Sequence, residues 1–252
     1  MKKLLVCDMH THTHYSFDSH QSLEGYCEQA IKVGVDVICF TDHIECGQLN
    51  TFNEFLFEQR QREIEQVRKL YQGRVTLLNG FEISEPHMHQ KELTFLRSLQ
   101  PDMIIGSVHY PMHYQPENKW VDRRTYETIY NQCVRDMVEC GGFDVLGHID
   151  MPRRYHDDYV EDTAYIQKTL KLCAEKGIVP EMNTSSLRNG CTEPMATSQH
   201  VAYYASCGGK YVTVSSDSHN ADTLGYKVKE TMQSLTGVTP CYFVGGKLIP
   251  IE

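Results

Sequence analysis

Two histidines stand two residues apart near the start of the chain, where His10 and His12 follow the apolar run Leu4-Leu5-Val6. On a β-strand, side chains two residues apart project from the same face. The two imidazoles would therefore lie side by side, which suits them to bind a divalent metal ion. Taken alone, a His-x-His pair is more often engaged in ordinary hydrogen bonds. It predicts a metal site only if the rest of the chain supplies further ligands.

Potential ligands also follow most of the other predicted strands. Apolar runs predict strands at 4–9, 36–40, 74–79, 103–108, 144–147, 178–182 and 211–215, each followed by a loop and an amphipathic helical stretch. The nitrogen and oxygen donors at their carboxyl ends are His10, His12, His43, Glu82, His109, His148, Asp217 and His219, and Asp18 in the first loop is added to them. Donors of this kind suit Zn, Mn or Fe.

The alternation of strands and helices predicts a parallel sheet with right-handed crossovers. No linker divides the seven units, so residues 1–252 are expected to form a single domain. The alternation alone fits either a closed barrel or an open, doubly wound sheet. The ligand positions favour the barrel, because there all strand ends converge on one mouth. The set also exceeds the four or five ligands of one metal ion, which suggests two or three ions.

Composition excludes several classes of function. The chain has 252 residues, 40% of them hydrophobic, and a net charge of -9. This acidic balance disfavours binding to nucleic acid, so no nucleic-acid partner is expected. No apolar run reaches the length of a membrane span, and no signal peptide is recognised. The ten cysteines form no C-x-x-C motif and are interpreted as reduced thiols of a cytoplasmic protein.

The ordered motifs resemble those of the PHP (polymerase and histidinol phosphatase) family over nearly the whole chain. They are His10-x-His12, Thr41-Asp42-His43, Glu82, Ser107-Val108-His109, Gly147-His148 and Ser216-Asp217-Ser218-His219. Each motif is weak alone, but together they are specific. Gly147-His148-Ile149-Asp150 with Arg153 and Arg154, and Asn183-Thr184-Ser185-Ser186-Leu187-Arg188, look most like the family's stand-alone phosphatases of histidine biosynthesis.

The resemblance implies a distorted (β/α)7 TIM-like barrel with three divalent metal ions, Zn, Mn or Fe, at the carboxyl face of its strands. By resemblance, the first ion would be held by His10, His12, Glu82 and Asp217. The second would be held by Asp18, His43 and His219, and the third by Glu82, His109 and His148, with Glu82 bridging.

The implied activity is hydrolysis of a small phosphate ester, with L-histidinol phosphate as the expected substrate. Several divalent ions lower the pKa of a bridging water and neutralise the phosphate oxygens. Arginine suits the non-bridging oxygens because its planar fork binds them in a bidentate manner. Arg188 is the first choice for this contact, and Arg153 or Arg154 the second. The general acid is left open between Asp150 and metal coordination of the leaving oxygen.

Alternative interpretations remain open at this point. PHP modules also include exonucleases and phosphoesterases acting on nucleotides, and metal-dependent amidohydrolases also place His-x-His after their first strand. A non-catalytic metal-binding barrel is a third possibility. Asp42 is expected either to orient His43 or to form a turn. The charged helix 53–71 is interpreted as a solvated face, and His200 is interpreted as an exposed residue.

Overall fold

Parallel strands alternate with helices along the chain. The computed structural model describes residues 4–47, 49–111, 122–155 and 159–252. The described strands are β1 Cys7–Thr11, β2 Val37–Phe40, β3 His43–Ile44, β4 Thr76–Ser84, β5 Met103–Ser107, β6 Val145–Leu146, β7 Val179–Asn183, β8 Tyr211–Ser215, β9 Thr239–Val244 and β10 Lys247–Pro250. The described α-helices are α1 Leu23–Val33, α2 Glu54–Leu70, α3 Gln90–Ser98, α4 Arg123–Cys140, α5 Thr163–Lys176, α6 Ser185–Arg188, α7 Ser198–Ser206 and α8 Val228–Ser234.

The sheet curls into a distorted barrel. Its strand order is β1-β2-β4-β5-β6-β7-β8-β9-β10, with β3 beside β4, and all neighbours are parallel except β9 and β10. At the carboxyl end of the strands, the main-chain N–H of His12 donates to the carbonyl of Ser218 at 2.8 Å, which joins β1 to the segment after β8. The start of β8 pairs instead with β9. The barrel is therefore joined at its mouth, whereas at the opposite end β8 pairs with β9 and not with β1.

The C-terminal hairpin, predicted at 241–251, is confirmed as β9 and β10 around Gly245 and Gly246. The turn of the hairpin reaches Asp102. The N–H of Gly245 donates to Oδ1 of Asp102 at 2.8 Å, and the N–H of Gly246 donates to the main-chain carbonyl of Asp102 at 3.0 Å. Asp102 directly precedes β5, so the hairpin covers the amino end of the barrel. The carboxyl end is left open for a site.

Local sequence accounts for the helix boundaries. The Ser22 side chain accepts a hydrogen bond from the Gly25 N–H at the start of α1, and Gly34 ends that helix in the left-handed region at φ 80°. Asp122 and Asp162 cap α4 and α5 in the same way. These caps satisfy main-chain groups that would otherwise lack partners at the helix ends.

The structure departs from the expected elements in several places. Strands β1 and β4 run further than predicted, so His10 and Glu82 lie inside strands rather than after them. The helix expected at 194–207 starts only at Ser198, because Thr197 and His200 form a capping box. His200 is consequently buried, and its interpretation as an exposed residue is wrong.

The expected last helix, 223–235, is broken into a 3₁₀ turn, Ala221–Thr223, and α8. The two are separated by residues in the left-handed region, Gly225 and Lys227. Within the described ranges, no helix combines the length and apolar character needed to cross a membrane.

Candidate metal centre

The nine predicted ligands converge at the carboxyl end of the barrel, around the buried carboxylate of Glu82. Oε2 of Glu82 lies 2.9 Å from Nδ1 of His43, 3.1 Å from Nε2 of His10 and 3.6 Å from Nε2 of His12. Oε1 lies 3.0 Å from Nε2 of His148 and 3.3 Å from Nε2 of His109. One carboxylate from β4 therefore faces imidazoles from both sides of the mouth.

Two further carboxylates complete the cluster nearer to solvent. Oδ2 of Asp18 lies 3.2 Å from Nε2 of His219 and 3.4 Å from Nε2 of His43. Oδ1 of Asp217 lies 3.3 Å from Nε2 of His12 and 3.8 Å from that of His10. The His12 ring stacks against the rings of both His43 and His219, with centroids 4.0 and 4.2 Å apart. Close stacking of several imidazoles requires that most of them be neutral or that an ion bind between them.

In three of the histidines the ring nitrogen that points away from the centre has an acceptor of its own. Nδ1 of His10 lies 2.7 Å from Glu181, Nδ1 of His109 lies 2.6 Å from Glu45, and Nδ1 of His219 lies 3.1 Å from the Asp217 carbonyl. An Nδ1 that donates to these oxygens carries its proton there. In the neutral ring the lone pair is then on Nε2, which faces the cluster, and this is the tautomer a metal ligand needs.

Ser16 imposes the same tautomer on His12. Its hydroxyl donates to Oδ1 of Asp42 at 3.0 Å and accepts from the main-chain N–H of His43 at 3.1 Å. The single hydroxyl proton is thereby used, so at the 3.2 Å contact with His12 Nδ1 the ring must donate. Asp42 thus fixes the Ser16 hydroxyl, which in turn positions the ring of His12 and the main chain of His43.

Asp42 is itself held by a buried arginine from α2. Nε of Arg60 donates to its Oδ2 at 2.5 Å, and both side chains are only 3% exposed. Nη2 of Arg60 also donates to the carbonyls of Phe40 and Gly80 at 2.8 and 2.9 Å. Helix α2 is therefore more than the solvated face expected from its composition, because Arg60 joins the end of β2 to the middle of β4.

The buried groups of the metal-free cluster have strongly shifted pKa values. Burial alone would lower the pKa of His43, but the close carboxylates of Glu82 and Asp18 raise it to about 9. Burial and the neighbouring His43 and His219 lower the pKa of His12 to about 3. Burial opposes the charged form of Glu82, yet the surrounding histidines hold its pKa well below its usual range.

Unsatisfied polar atoms show that the cluster fits metal ions. Buried atoms without a hydrogen-bonding partner among the described residues include Nε2 of His10, Nε2 of His12, Nδ1 of His43 and Oε2 of Glu82, even though these atoms lie close together. Leaving such groups unpaired is costly unless an ion satisfies them. The donor atoms form three overlapping groups, each within 4.8 Å: His12, His43 and His219; His10, His12 and Glu82; and His43, Glu82 and His109.

The four residues predicted to act on the substrate lie in different surroundings. Arg154 lines the cavity at the mouth, where its Nη1 donates to Oδ2 of Asp217 at 2.9 Å. Arg153 donates to Asp150 at 2.8 Å and to the carbonyl of Pro194 at 2.6 Å. Asp150 is fully buried and also accepts from a main-chain N–H.

Arg188, the first choice from the sequence, uses its guanidinium within the protein. Nη1 donates to the Ser216 carbonyl at 2.6 Å and Nη2 to the Asp217 carbonyl at 3.0 Å. Neither Arg188 nor Arg153 nor Asp150 is among the described residues that line the cavity, whereas Arg154 is. The structure thus brings one of the three arginines to the cavity beside the predicted metal ligands.

A cavity of about 270 Å³ opens above the ligands. Besides Arg154 and the carboxylate of Glu45, its walls outside the predicted ligands are formed by Phe17, Tyr110, Met151 and Tyr155. The hydroxyl of Tyr155 contacts Nη2 of Arg154 at 2.6 Å, and Phe17 packs on the His43 ring with centroids 5.2 Å apart. The cavity therefore combines a polar floor and one cation with flat apolar walls. The segment 112–121, which includes Trp120 of the 110–121 loop, lies outside the described residues.

Sequence reasoning missed the outer partners Glu45, Glu181 and Ser16. Glu45 stands two residues after His43, the same i, i+2 spacing as His10 and His12, so its position carried a signal. Glu181 is an acid inside an otherwise apolar strand, which also signals an interior role. Ser16 carried no comparable signal, because serine is common in loops.

The barrel and its cluster of histidines and carboxylates define a class of metal-dependent proteins, and the sequence comparison identifies the family. Residues 8–185 match the model of the PHP domain family, which is more than half of the chain. The chain belongs to the PHP domain family.

Relatives and a solved structure extend over the rest of the chain. A protein of Lactococcus lactis named histidinol-phosphatase is 26% identical over 88% of this chain and 86% of its own length. One of Thermotoga maritima, named probable histidinol-phosphatase, is 25% identical over 98% of this chain and 99% of its own. The crystal structure of the L. lactis histidinol phosphate phosphatase, a complex with zinc, L-histidinol and phosphate, superposes with a TM-score of 0.86 at 24% identity over 98% of this chain and 100% of that one. This likeness shows that the distorted barrel is the fold of this protein.

Proposed function

We propose that the protein is a metal-dependent phosphatase that hydrolyses L-histidinol phosphate to L-histidinol and phosphate in histidine biosynthesis. The observation that carries the proposal is the position of Arg154, which lines one cavity with His43, His109, His148, Asp217 and His219. A cation beside a metal cluster suits a phosphate monoester. The names of the relatives, histidinol-phosphatase, support the choice of substrate.

The nine converging side chains would hold three divalent ions. His10, His12, Glu82 and Asp217 would hold the first; Asp18, His43 and His219 the second; and Glu82, His109 and His148 the third. The central position of Glu82, whose two oxygens face opposite groups of imidazoles, supports its bridging role. Zn, Mn and Fe all accept this donor set. When bound, such ions supply positive charge to the phosphate and lower the pKa of a water that attacks phosphorus.

Arg154 would bind a non-bridging oxygen of the phosphate. Its side chain is 18% exposed and is oriented by Asp217, Ser185 and Tyr155, so the guanidinium is held at the cavity before substrate binds. A preorganised donor loses little conformational entropy and stabilises the charge that develops during in-line displacement.

The apolar walls would bind the leaving group. Phe17 and Tyr155 are about half exposed at the rim, and Tyr110 and Met151 lie beside them. An imidazole ring packs favourably on flat aromatic surfaces. This arrangement supports an ester whose alcohol carries a ring rather than a simple alkyl phosphate.

A substrate panel tests the proposal. Protein purified without chelators is first analysed for metals. Phosphate release is then measured with L-histidinol phosphate and with O-phosphoethanolamine, which keeps the aminoalcohol but lacks the ring, and nucleotide release is measured with single-stranded DNA. We expect L-histidinol phosphate to react about 100-fold faster than the ring-free ester. Turnover of other monoesters but not of L-histidinol phosphate would refute the substrate. No phosphate release from any of them by the metal-loaded protein would refute the phosphatase.

A further inference from the structure

A fully buried carboxylate lies beneath the cluster without being one of its predicted ligands. Glu181, in the middle of β7, is 1% exposed. Among the described residues its ionic partner is His10, and no lysine or arginine is paired with it. A buried charge in this situation is costly unless hydrogen bonds satisfy it, so its partners indicate its role.

Glu181 accepts from four donors that belong to different parts of the barrel. Oε1 accepts from Nδ1 of His10 on β1 at 2.7 Å and from the hydroxyl of Ser215 on β8. Oε2 accepts from the main-chain N–H of His148, after β6, at 2.9 Å and from Nδ2 of Asn183 at 3.2 Å. One carboxylate therefore contacts two predicted metal ligands that are far apart in the sequence.

The two contacts determine how those ligands face the cluster. Because Nδ1 of His10 donates to Glu181, Nε2 is the atom that has the lone pair when the ring is neutral, and this atom lies 3.1 Å from Glu82 and 3.8 Å from Asp217. Glu181 also accepts from the main-chain N–H of His148. The side chain of His148 places its Nε2 3.0 Å from Oε1 of Glu82. Glu181 thus supports ligands on both sides of Glu82.

We propose that Glu181 is a positioning residue of the metal centre, which holds the Nδ1–H tautomer of His10 and couples the ion position at His10 to the one at His148. The proposal rests on the metal-dependent function proposed above. Glu181 does not line the substrate cavity, so it acts through the two histidines. Loss of its carboxylate weakens ion binding rather than contact with the substrate.

Glu181→Gln tests this role with little change in volume. Glutamine offers one acceptor oxygen instead of two, so either the His10 and Ser215 side or the His148 and Asn183 side must face an amide NH₂. Thr213→Val is the matched control, because Thr213 pairs with Glu181 in the sheet register, is equally buried, and has a hydroxyl without a partner among the described residues.

Zinc affinity is measured by competition with a chromophoric chelator, and zinc content by elemental analysis. The Nδ1–H proton of His10 is observed by NMR in zinc-loaded, ¹⁵N-histidine-labelled protein. For Glu181→Gln we expect an affinity about 10–100-fold lower for at least one zinc ion and a changed or missing Nδ1–H signal. Thr213→Val should match the wild type in both measurements.

Wild-type zinc affinity together with an unchanged His10 signal in Glu181→Gln would overturn the inference. If that variant does not fold, Glu181→Asp retains the buried charge but withdraws it from His10, and the same loss of affinity is expected. A wild-type protein that binds no zinc, manganese or iron would instead refute the proposed function, so the two failures are distinguishable.

Discussion

Nη1 of Arg154 lies 2.9 Å from Oδ2 of Asp217, while Oδ1 of the same carboxylate lies 3.3 Å from Nε2 of His12. One side chain therefore joins the cation at the cavity to the predicted metal ligands. In the proposed function, a phosphate oxygen bound by Arg154 would therefore lie next to an ion held by Asp217. Substitutions at the two residues should have distinguishable effects.

Arg154→Met should reduce kcat/KM for the phosphate ester by about 100- to 1000-fold, because one preorganised donor to the developing charge is lost. Metal content should stay near that of the wild type, since the nine ligands are retained. Steady-state kinetics and elemental analysis check both statements. Arg153→Met is the comparison: its guanidinium binds Asp150 and main-chain carbonyls, so it should lower the free energy of unfolding more than kcat/KM. The reverse ranking of the two variants in kcat/KM would contradict the assignment of phosphate to Arg154.

Asp217→Asn should remove metal and activity together. The substitution is nearly isosteric, but it replaces a charged ligand with a neutral amide, and we expect phosphate release to fall by more than about 100-fold. Zinc content and phosphate release are measured on the same preparation. Asp222→Asn, the same change at an exposed residue of the following 3₁₀ turn, is the control and should retain both. Full activity and full zinc content in Asp217→Asn would contradict the assignment of Asp217 as a metal ligand.

Metal binding should release protons at neutral pH. In the metal-free protein the pKa of His43 is about 9, so its imidazole is protonated at pH 7 and must lose that proton to become a ligand. His12, with a pKa of about 3, is already neutral and releases none. The apparent affinity should therefore rise with pH, by about tenfold per pH unit for each proton released.

Calorimetric titration of the metal-free protein in two buffers with different heats of ionisation measures the number of protons. We expect about one or more per protein at pH 7, with affinity rising from about pH 6 to about pH 8. A proton count of zero in both buffers would contradict the charge state assigned to His43.

Arg60→Met should destabilise the fold by about 3–5 kcal/mol, because it leaves the buried carboxylate of Asp42 without its cation. Urea denaturation measures the change in the free energy of unfolding. Arg62→Met, two residues along α2 in an exposed pair with Glu58, is the control and should change stability by less than about 0.5 kcal/mol. Equal stabilities of the two variants would show that Asp42 does not depend on Arg60.

Much of the site could be predicted because ligand type and strand position are both visible in the sequence. His10, Glu82, His148 and Asp217 each stand at or near the carboxyl end of an apolar run, and parallel strands bring those ends together in a barrel. The exact strand ends were less predictable. Strand β4 extends through Glu82 to Ser84 because β3 and β5 provide hydrogen-bonding partners on both sides, which local propensity does not show.

The choice among the arginines could not be made from the sequence. Arg153 and Arg154 are adjacent and chemically identical, yet one binds main-chain carbonyls and the other reaches the cavity. Arg188 was favoured because it follows a strand end. Its guanidinium instead donates to the main-chain carbonyls of Ser216 and Asp217. These outcomes depend on carbonyl positions contributed by segments distant in the chain.

The sequence by itself determined the family motifs, the alternation of strands and helices, and the set of nitrogen and oxygen donors, because each is a property of residue type and short-range spacing. Only the tertiary structure decided which atoms of those residues face one another. Glu181 and His10 are 171 residues apart in the chain, and Asp217 and Arg154 are 63 apart. Such contacts exist only once the barrel has closed, since closure brings β1 beside β8 and sets the direction of every side chain at the mouth.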